Sequence, residues 1–503
     1  MAAIIKPSIV ILFVLFACGE RINSTLPVAP ANVDLTNAFY YTINLNDRTD
    51  LTFKVRMFVD RLTQTNEIFQ FAATAPGTYS ILDFGRFVRK FKAFDKSYNE
   101  LSVTHPTTNQ WKLSDPERTR VIEFEIAETF HHPVPTHRVA YSSIAYDNVI
   151  INPFAVLGYP TGLKERGFYL KIDLPPDWTT GTSLAKTDDG YYYASDYGRL
   201  ADFPLLMGSL TTASTSVGNT EFNVFTYSKT NKISAAQIVD AVGQVWQDAS
   251  KFLKGLPVKR YNYLYHFDDS FSGNPLEHSS SSMFPLTEFY FAQDLGRLKT
   301  TSAHEFFHVM TPLTIHSEII EDFNFAYPTA SEHLWWYEGV TVWASIMMQY
   351  RNGSINLKDL PGQFASHGPI QPQVSLSNIG LNCYVDGTQW GNAYTKGALA
   401  AALLDIRLLE LSKGTKGLRE LILELFEKYH DQPFPENSFN DILTDMTYPE
   451  IGEFLKQYVK GTEELPIVEY FNKLGINYDN RWSLIENSTA EQQTLFNRWS
   501  VNF

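Results

Sequence analysis

His304-Glu305-Phe306-Phe307-His308 sets two imidazoles four residues apart, with a carboxylate next to the first. At 3.6 residues per turn, positions four apart stack on one helix face, so His304 and His308 can grip one metal ion together. Glu305 then projects beside that ion, where a carboxylate can take a proton from a bound water. The chemistry implied is zinc-assisted hydrolysis of a peptide bond, with one Zn2+ per chain. Two histidines leave such an ion in need of a third protein ligand. Downstream candidates are His316, Glu318, Glu321, Glu332, His333 and Glu338. Leu334-Trp-Trp-Tyr-Glu-Gly-Val-Thr341 singles out Glu338, because a carboxylate inside an apolar helical run is costly to bury unless paired or bound to metal. Gly339 beside it would let the metal helix approach closely. Glu318 and Glu321 stand among polar residues and read as loop or surface.

Hydrolysis also needs a donor for the oxyanion that forms on the scissile carbonyl. Gly391-Asn-Ala-Tyr394-Thr-Lys-Gly397 opens a later helix, and Tyr394 could place a phenol there. On its own, a tyrosine at a helix start more often belongs to the core or the rim. An exopeptidase further needs an anion for the substrate's free α-amine. Asn274-Pro-Leu-Glu277-His278 precedes a Ser run and a strand, a location that suits a cleft edge. Glu277 reads equally well as a plain turn carboxylate.

These residues must be carried by a scaffold of 503 residues, about three average domains. Hydrophobic content of 44% and charged content of 19% allow a substantial core, and 14% aromatics favour a large β component. From Ala38 to about Ser228 short alternating segments such as Leu51-Thr-Phe-Lys-Val-Arg-Met-Phe-Val59 are broken by Pro, Gly, Asn and Asp turns, which predicts an all-β sandwich or barrel. The texture changes near Lys232. Ser234 can cap a helix through Phe252, with Ile238, Val242, Val245 and Trp246 on one face. Strands are expected over 261–267 and 288–292, then the metal helix, ended by Pro312. From Ser331 onward the pattern is helical, over 334–350, 393–411, 416–429, 438–444 and 448–459.

Net charge is −14 with no basic run, so nucleic acid is a poor partner. Lys6 followed by an apolar stretch from Ser8 to Ala17 reads as an export signal, too short to anchor in a bilayer. Leu15-Phe16-Ala17-Cys18 resembles a lipobox, which would make the chain a bacterial lipoprotein of the cell envelope, held to the membrane at Cys18. An ordinary secretory cleavage nearby is the alternative, and export follows from either. The only other cysteine, Cys383, then has no partner and reads as a buried small hydrophobe.

Taken in order, several separated motifs resemble one family, the glycyl aminopeptidase-type zinc metallopeptidases, gluzincins related to the alanyl aminopeptidases. Pro76-Gly-Thr-Tyr-Ser-Ile-Leu-Asp-Phe-Gly-Arg-Phe-Val88 resembles the family's amino-terminal domain signature. Asp196-Tyr197, Leu200-Ala-Asp-Phe-Pro-Leu205 and Gly208 are similar to its domain-end motif. Glu277-His278 falls at its Gly-Leu-Glu-His, and Glu338 follows His308 at its zinc spacing. Tyr394-Thr-Lys-Gly397 with Leu404-Asp405 and Arg407 is similar to its tyrosine helix. The resemblance implies an N-terminal all-β sandwich-like domain followed by a thermolysin-like α+β catalytic domain with a mostly helical C-terminal half. It implies zinc on His304, His308 and Glu338, Glu305 as general base, Tyr394 on the oxyanion and Glu277 on the substrate amine. Peptides with small first residues (Gly, Ala) would be the substrates.

Two departures stand out. Asn274-Pro275 replaces two glycines, and proline removes a backbone donor where substrate would pair. The usual C-terminal PDZ domain has no room, since 25 residues follow Tyr478. The expected divisions are a signal peptide at 1–17, a tether at 18–35, a β domain at 36–230, a zinc peptidase domain at 231–478 and a tail at 479–503 packing on it through Trp482 and Trp499. The altered glycines keep a zinc endopeptidase open as an alternative. A non-catalytic surface module binding glycan or host protein is the rival class, though such a relic has no reason to keep Glu305.

Overall fold

The computed structural model describes residues 27–502, apart from 49, 131–139, 141, 271–272, 367, 369, 371–372 and 480. The export segment and Cys18 lie outside the described residues. Among those described, no helix is long and apolar enough to cross a membrane.

Alternation builds the first half. In the strand Thr52–Phe58, Phe53, Val55 and Met57 point into the core while Thr52, Lys54 and Arg56 are half-exposed, the period-2 pattern of a sheet with one buried face. It pairs antiparallel with Ala38–Asn44 on one side and Val121–Ala127 on the other, at the centre of an eight-stranded sheet. Two four-stranded sheets complete a β unit over residues 38–208. Edge-to-face rings such as Phe71 on Phe124, 5.1 Å apart, fill the space between. The expected all-β domain is therefore present.

Its boundary differs from the expectation at residue 230. Strands Thr211–Val217 and Thr220–Ser228 belong to a second, five-stranded sheet, in which Thr220–Ser228 runs parallel to Arg260–Phe267. Sheet membership thus changes near residue 209. Alternation alone cannot tell which sheet a strand joins. The crossover between these parallel strands is the helix Ala235–Phe252, capped by Ser234, whose Oγ accepts from Gln237 N–H. Its buried Trp246 stacks on Phe222 with ring centroids 4.5 Å apart.

The sheet continues through Ser281–Leu286 to an outer strand, Leu276–His278. The strand expected over 288–292 is a helix, Glu288–Gln293. Phe289 and Tyr290 are largely exposed, so their alternation marks surface rings rather than a sheet face. The true strand is the serine-rich segment just before it, whose Ser281 and Ser282 are fully buried.

The metal helix spans Leu298–Phe307 and does not run on to Pro312. After Phe307 the backbone tightens, with Val309 N–H donating to Phe306 O and Met310 N–H to Phe307 O. Helices dominate the rest, among them Thr341–Arg351, Trp390–Leu411 and Leu418–Tyr429. The tail packs on this half as expected. Trp482 and Trp499 are buried in its core, and Arg351 Nε donates to Trp499 O at 2.9 Å. Cys383 is buried as expected, and burial pushes its thiol up to about 11.

Candidate active site

The helix Leu298–Phe307 and the residue that ends it put both imidazoles on one face, with their Nε2 atoms 3.1 Å apart and their rings nearly perpendicular. His308 Nδ1 lies 2.9 Å from Thr311 O. A carbonyl only accepts, so Nδ1 carries the proton and Nε2 presents a lone pair to the cleft. The tightened turn after Phe307 supplies that carbonyl. The early end of the helix is therefore part of how His308 is aimed.

Glu338 sits in a wide helical turn, Trp335–Val340, that leads into Thr341–Arg351. Such turns are frequent at functional sites because the extra residue re-aims a side chain. Gly339 does not face the metal helix. A Cβ there would stand 2.5 Å from Gly397 C and 2.8 Å from Ala393 O, so the close approach it permits is to Trp390–Leu411, the helix that carries Tyr394.

Glu338 Oε2 lies 3.4 Å from His304 Nε2 and 3.6 Å from His308 Nε2. It is buried and receives no hydrogen bond, while Oε1 accepts one from Tyr79 Oη–H at 2.9 Å. Three ligand atoms of two imidazoles and one carboxylate thus converge within 4.8 Å of one another. A buried carboxylate oxygen beside two imidazole nitrogens is a donor set that a divalent cation satisfies. The site fits a metal ion. Burial pushes the Glu338 carboxyl up, but His308 and His304 in their protonated form and the Tyr79 hydroxyl outweigh it and bring it down to about 2.

The other downstream candidates are elsewhere. His316 Nε2 contacts Glu321 Oε2 at 2.7 Å, Glu332 faces Lys460, and His333 Nε2 donates to Glu436 O at 2.7 Å. Glu318 Oε1 accepts from Glu436 N–H.

Glu305, Glu277 and Tyr394 share the cleft with these groups, a space of about 680 Å3. Glu305 is buried, and desolvation followed by the charges of Glu277 and Glu338 pushes its carboxyl well up. Glu277 lies on the outer strand Leu276–His278, with an oxygen within 4.8 Å of ligand atoms of both Glu305 and His308. Its carboxyl is also raised, first by burial, with His308 pulling it back and Glu338 adding to the rise. The Tyr394 ring is 6.0 Å from that of His304. Burial and then the charges of Glu338, Glu277 and Glu305 push its phenol well up, so it stays a hydrogen-bond donor.

Two residues of this site were missed in the sequence. Tyr79 and Gly77 come from the β unit, in the stretch read only as a domain signature. A Cβ on Gly77, whose φ is +71°, would stand 2.6 Å from Glu277 Oε1. Tyr79 lies 259 positions before Glu338, and no local spacing rule reaches that far.

Comparisons with known proteins agree with this layout. The family model described as "Peptidase M61 N-terminal domain" matches residues 40–209, and "M61 glycyl aminopeptidase" matches residues 297–368. No curated protein matches the chain. Among solved structures, an aminopeptidase N family protein of Idiomarina loihiensis is similar, with TM-score 0.74 and 20% identity over 87% of this chain and 78% of that one. An M1 zinc metallopeptidase of Deinococcus radiodurans, in a mutant form bound to a Tyr-Ser-Ala substrate, has TM-score 0.54 and 11% identity over 86% of this chain and 94% of that one. At these identities the structural likeness concerns the fold, a β domain joined to a metallopeptidase half.

Proposed function

Because the chain belongs to the M61 peptidase family and is a metallopeptidase, we propose that it is a zinc-dependent aminopeptidase that removes a small first residue (Gly or Ala) from peptides. The observation that carries the exopeptidase reading is the place of Glu277, a carboxylate on the outer strand that lines the cleft and lies within 4.8 Å of ligand atoms of Glu305 and His308. A substrate ammonium is the cation such a group lacks, and a charge-assisted hydrogen bond to it would place the first peptide bond beside Glu305.

His304, His308 and Glu338 would hold the zinc ion, which when bound supplies Lewis acidity toward the scissile carbonyl and acidifies a water. Glu305 takes the proton of the attacking water. The same carboxyl then returns the proton to the leaving amine. Tyr394 donates its phenol hydrogen to the oxyanion, a role that requires the protonated form its surroundings favour. Strand Leu276–His278 is the outer strand of its sheet, and residues 274–277 line the cleft. Its free edge can pair with an extended peptide, one donor fewer because of Pro275.

Behind Glu277 lies an apolar recess of about 70 Å3 that shares Gly77, Tyr79, Glu277 and Leu334 with the main cleft. A water needs roughly 10–15 Å3 on this scale, so the recess takes a few heavy atoms and no indole. That supports a small first side chain.

Comparing a free peptide with its N-acetylated form tests the reading. Hydrolysis confined to the free form is expected, and equal rates on both would favour the endopeptidase alternative. Zinc content of the protein purified without chelator addresses the binding-module alternative, which predicts less than about half an equivalent. The proposal also places the enzyme outside the cytoplasm, anchored through a lipid on Cys18. Metabolic labelling with a fatty acid should mark the wild type and not Cys18→Ser.

A further inference from the structure

The metal ligands His304, His308 and Glu338 all come from the catalytic half, yet one group that holds them does not. Tyr79 belongs to a loop of the β unit, and its hydroxyl donates to Glu338 Oε1 at 2.9 Å. With Oε1 occupied, only Oε2 is left facing the two histidine nitrogens. Removing the hydroxyl would take away the hydrogen bond that fixes Oε1 and loosen the orientation of the carboxylate.

The loop is built to hold this position. Tyr79 has φ 47°, a left-handed conformation that a non-glycine residue adopts at a cost of about 1 kcal/mol or more. The surroundings over-determine it. Thr78 is fully buried, and its Oγ1 donates to Ala75 O at 2.7 Å. Leu82 and Asp83 N–H both donate to Ala73 O, and Ala73 N–H donates to Phe325 O at 2.7 Å, tying the loop to a segment beyond the metal helix. The Tyr79 ring itself packs against the core of the catalytic half. A strained residue fixed from several sides, with its one polar atom on a metal ligand, is arranged to position that ligand.

We propose that Tyr79 is a positioning residue for Glu338, so that the metal site is assembled across both halves of the chain and metal occupancy fastens the loop 73–84 to the catalytic half. The inference rests on the metal-site reading above.

The test compares wild type with Tyr79→Phe, which removes one oxygen and keeps the ring. Zinc affinity is read by competition with a chelator, and hydrogen exchange of amides 73–84 is followed with and without zinc. The expected results are zinc affinity lower by about 10- to 100-fold in Tyr79→Phe, and zinc-dependent protection of 73–84 in wild type that is lost in the variant. Equal melting temperatures of the two zinc-free proteins would show that the fold is intact. If wild type binds zinc and Tyr79→Phe binds it equally well, the positioning role is overturned. A loss confined to kcat, with zinc affinity unchanged, overturns it too and moves the hydroxyl to the substrate. If wild type itself binds no zinc, the metal-site reading fails first.

Discussion

Glu338 and Glu277 are the same residue type on the wall of one cleft, and their surroundings drive them in opposite directions. Around Glu338, two imidazoles in their protonated form and the Tyr79 hydroxyl overcome burial and bring the carboxyl down to about 2. Around Glu277, burial dominates, Glu338 adds to it, and the carboxyl is raised despite His308 and His278. One end of the cleft thus draws its opposite charge from imidazolium groups, the place a bound cation takes when both nitrogens are ligands. The other is under-compensated and gains most from a cation that arrives with the substrate. A metal hydrolase that holds its ion and releases its product needs both arrangements.

That contrast can be broken most forcefully at the metal end. His304→Ala should lose the metal, some thermal stability and all measurable turnover, since binding stabilises the folded state by mass action. Glu305→Gln should instead keep the metal and lose roughly 10²–10⁴-fold in kcat. Metal content measured beside turnover separates the two, and a fully active Glu305→Gln would remove the general base from the mechanism.

Tyr394→Phe comes next. Loss of one oxyanion donor should lower kcat by roughly 10²–10³-fold and leave KM nearly unchanged. A KM effect alone would return Tyr394 to the cleft rim.

At the amine end, Glu277→Gln should raise KM for free peptides by about 10- to 100-fold, the range of a charge-assisted hydrogen bond, and leave N-acetylated peptides unaffected. Acid should mimic it. Because burial already holds the Glu277 carboxyl up, added acid neutralises it at a higher pH than an ordinary carboxylate, and the KM of free peptides should rise there first. A KM that ignores both the substitution and the pH would leave the two ends without functional contrast.

The mildest probe is Gly77→Ala. Its Cβ would crowd Glu277 Oε1 at a backbone position of φ +71°. A few-fold rise in KM limited to free peptides is expected, with a stability loss of about 1 kcal/mol in denaturant titration. An equal effect on acetylated peptides would locate the damage in the fold rather than at the amine anchor.

How far the sequence could be read depended on the range of the interaction concerned. The helix cap at Ser234 and its buried face of Ile238, Val242, Val245 and Trp246 were legible because both are local. Glu338 was legible as a lone carboxylate in an apolar run. Gly339 was assigned the wrong neighbour, since a small residue announces a close approach without saying to what. Residues 288–292 imitated a strand because exposed aromatic rings alternate as buried ones do. The serine-rich strand 281–286 was hidden by its polar side chains. The hairpin over 211–228 was recognised as β but placed in the wrong sheet, because its partner strand lies across a helical crossover.

What the sequence by itself determined is the chemistry of the metal end. The i, i+4 spacing of His304 and His308 is a property of any helix, and it needs no tertiary contact to put two imidazoles on one face. Only the tertiary structure decided how Glu338 is held beside that pair and how the opposite wall of the cleft is built. Glu277 reaches the cleft from an outer strand, Tyr394 from a later helix, and Tyr79 from a strained loop of a different sheet system. Their approach depends on long-range packing, such as the Gly339–Gly397 crossing and the Gly77 contact, which no periodicity along the chain encodes.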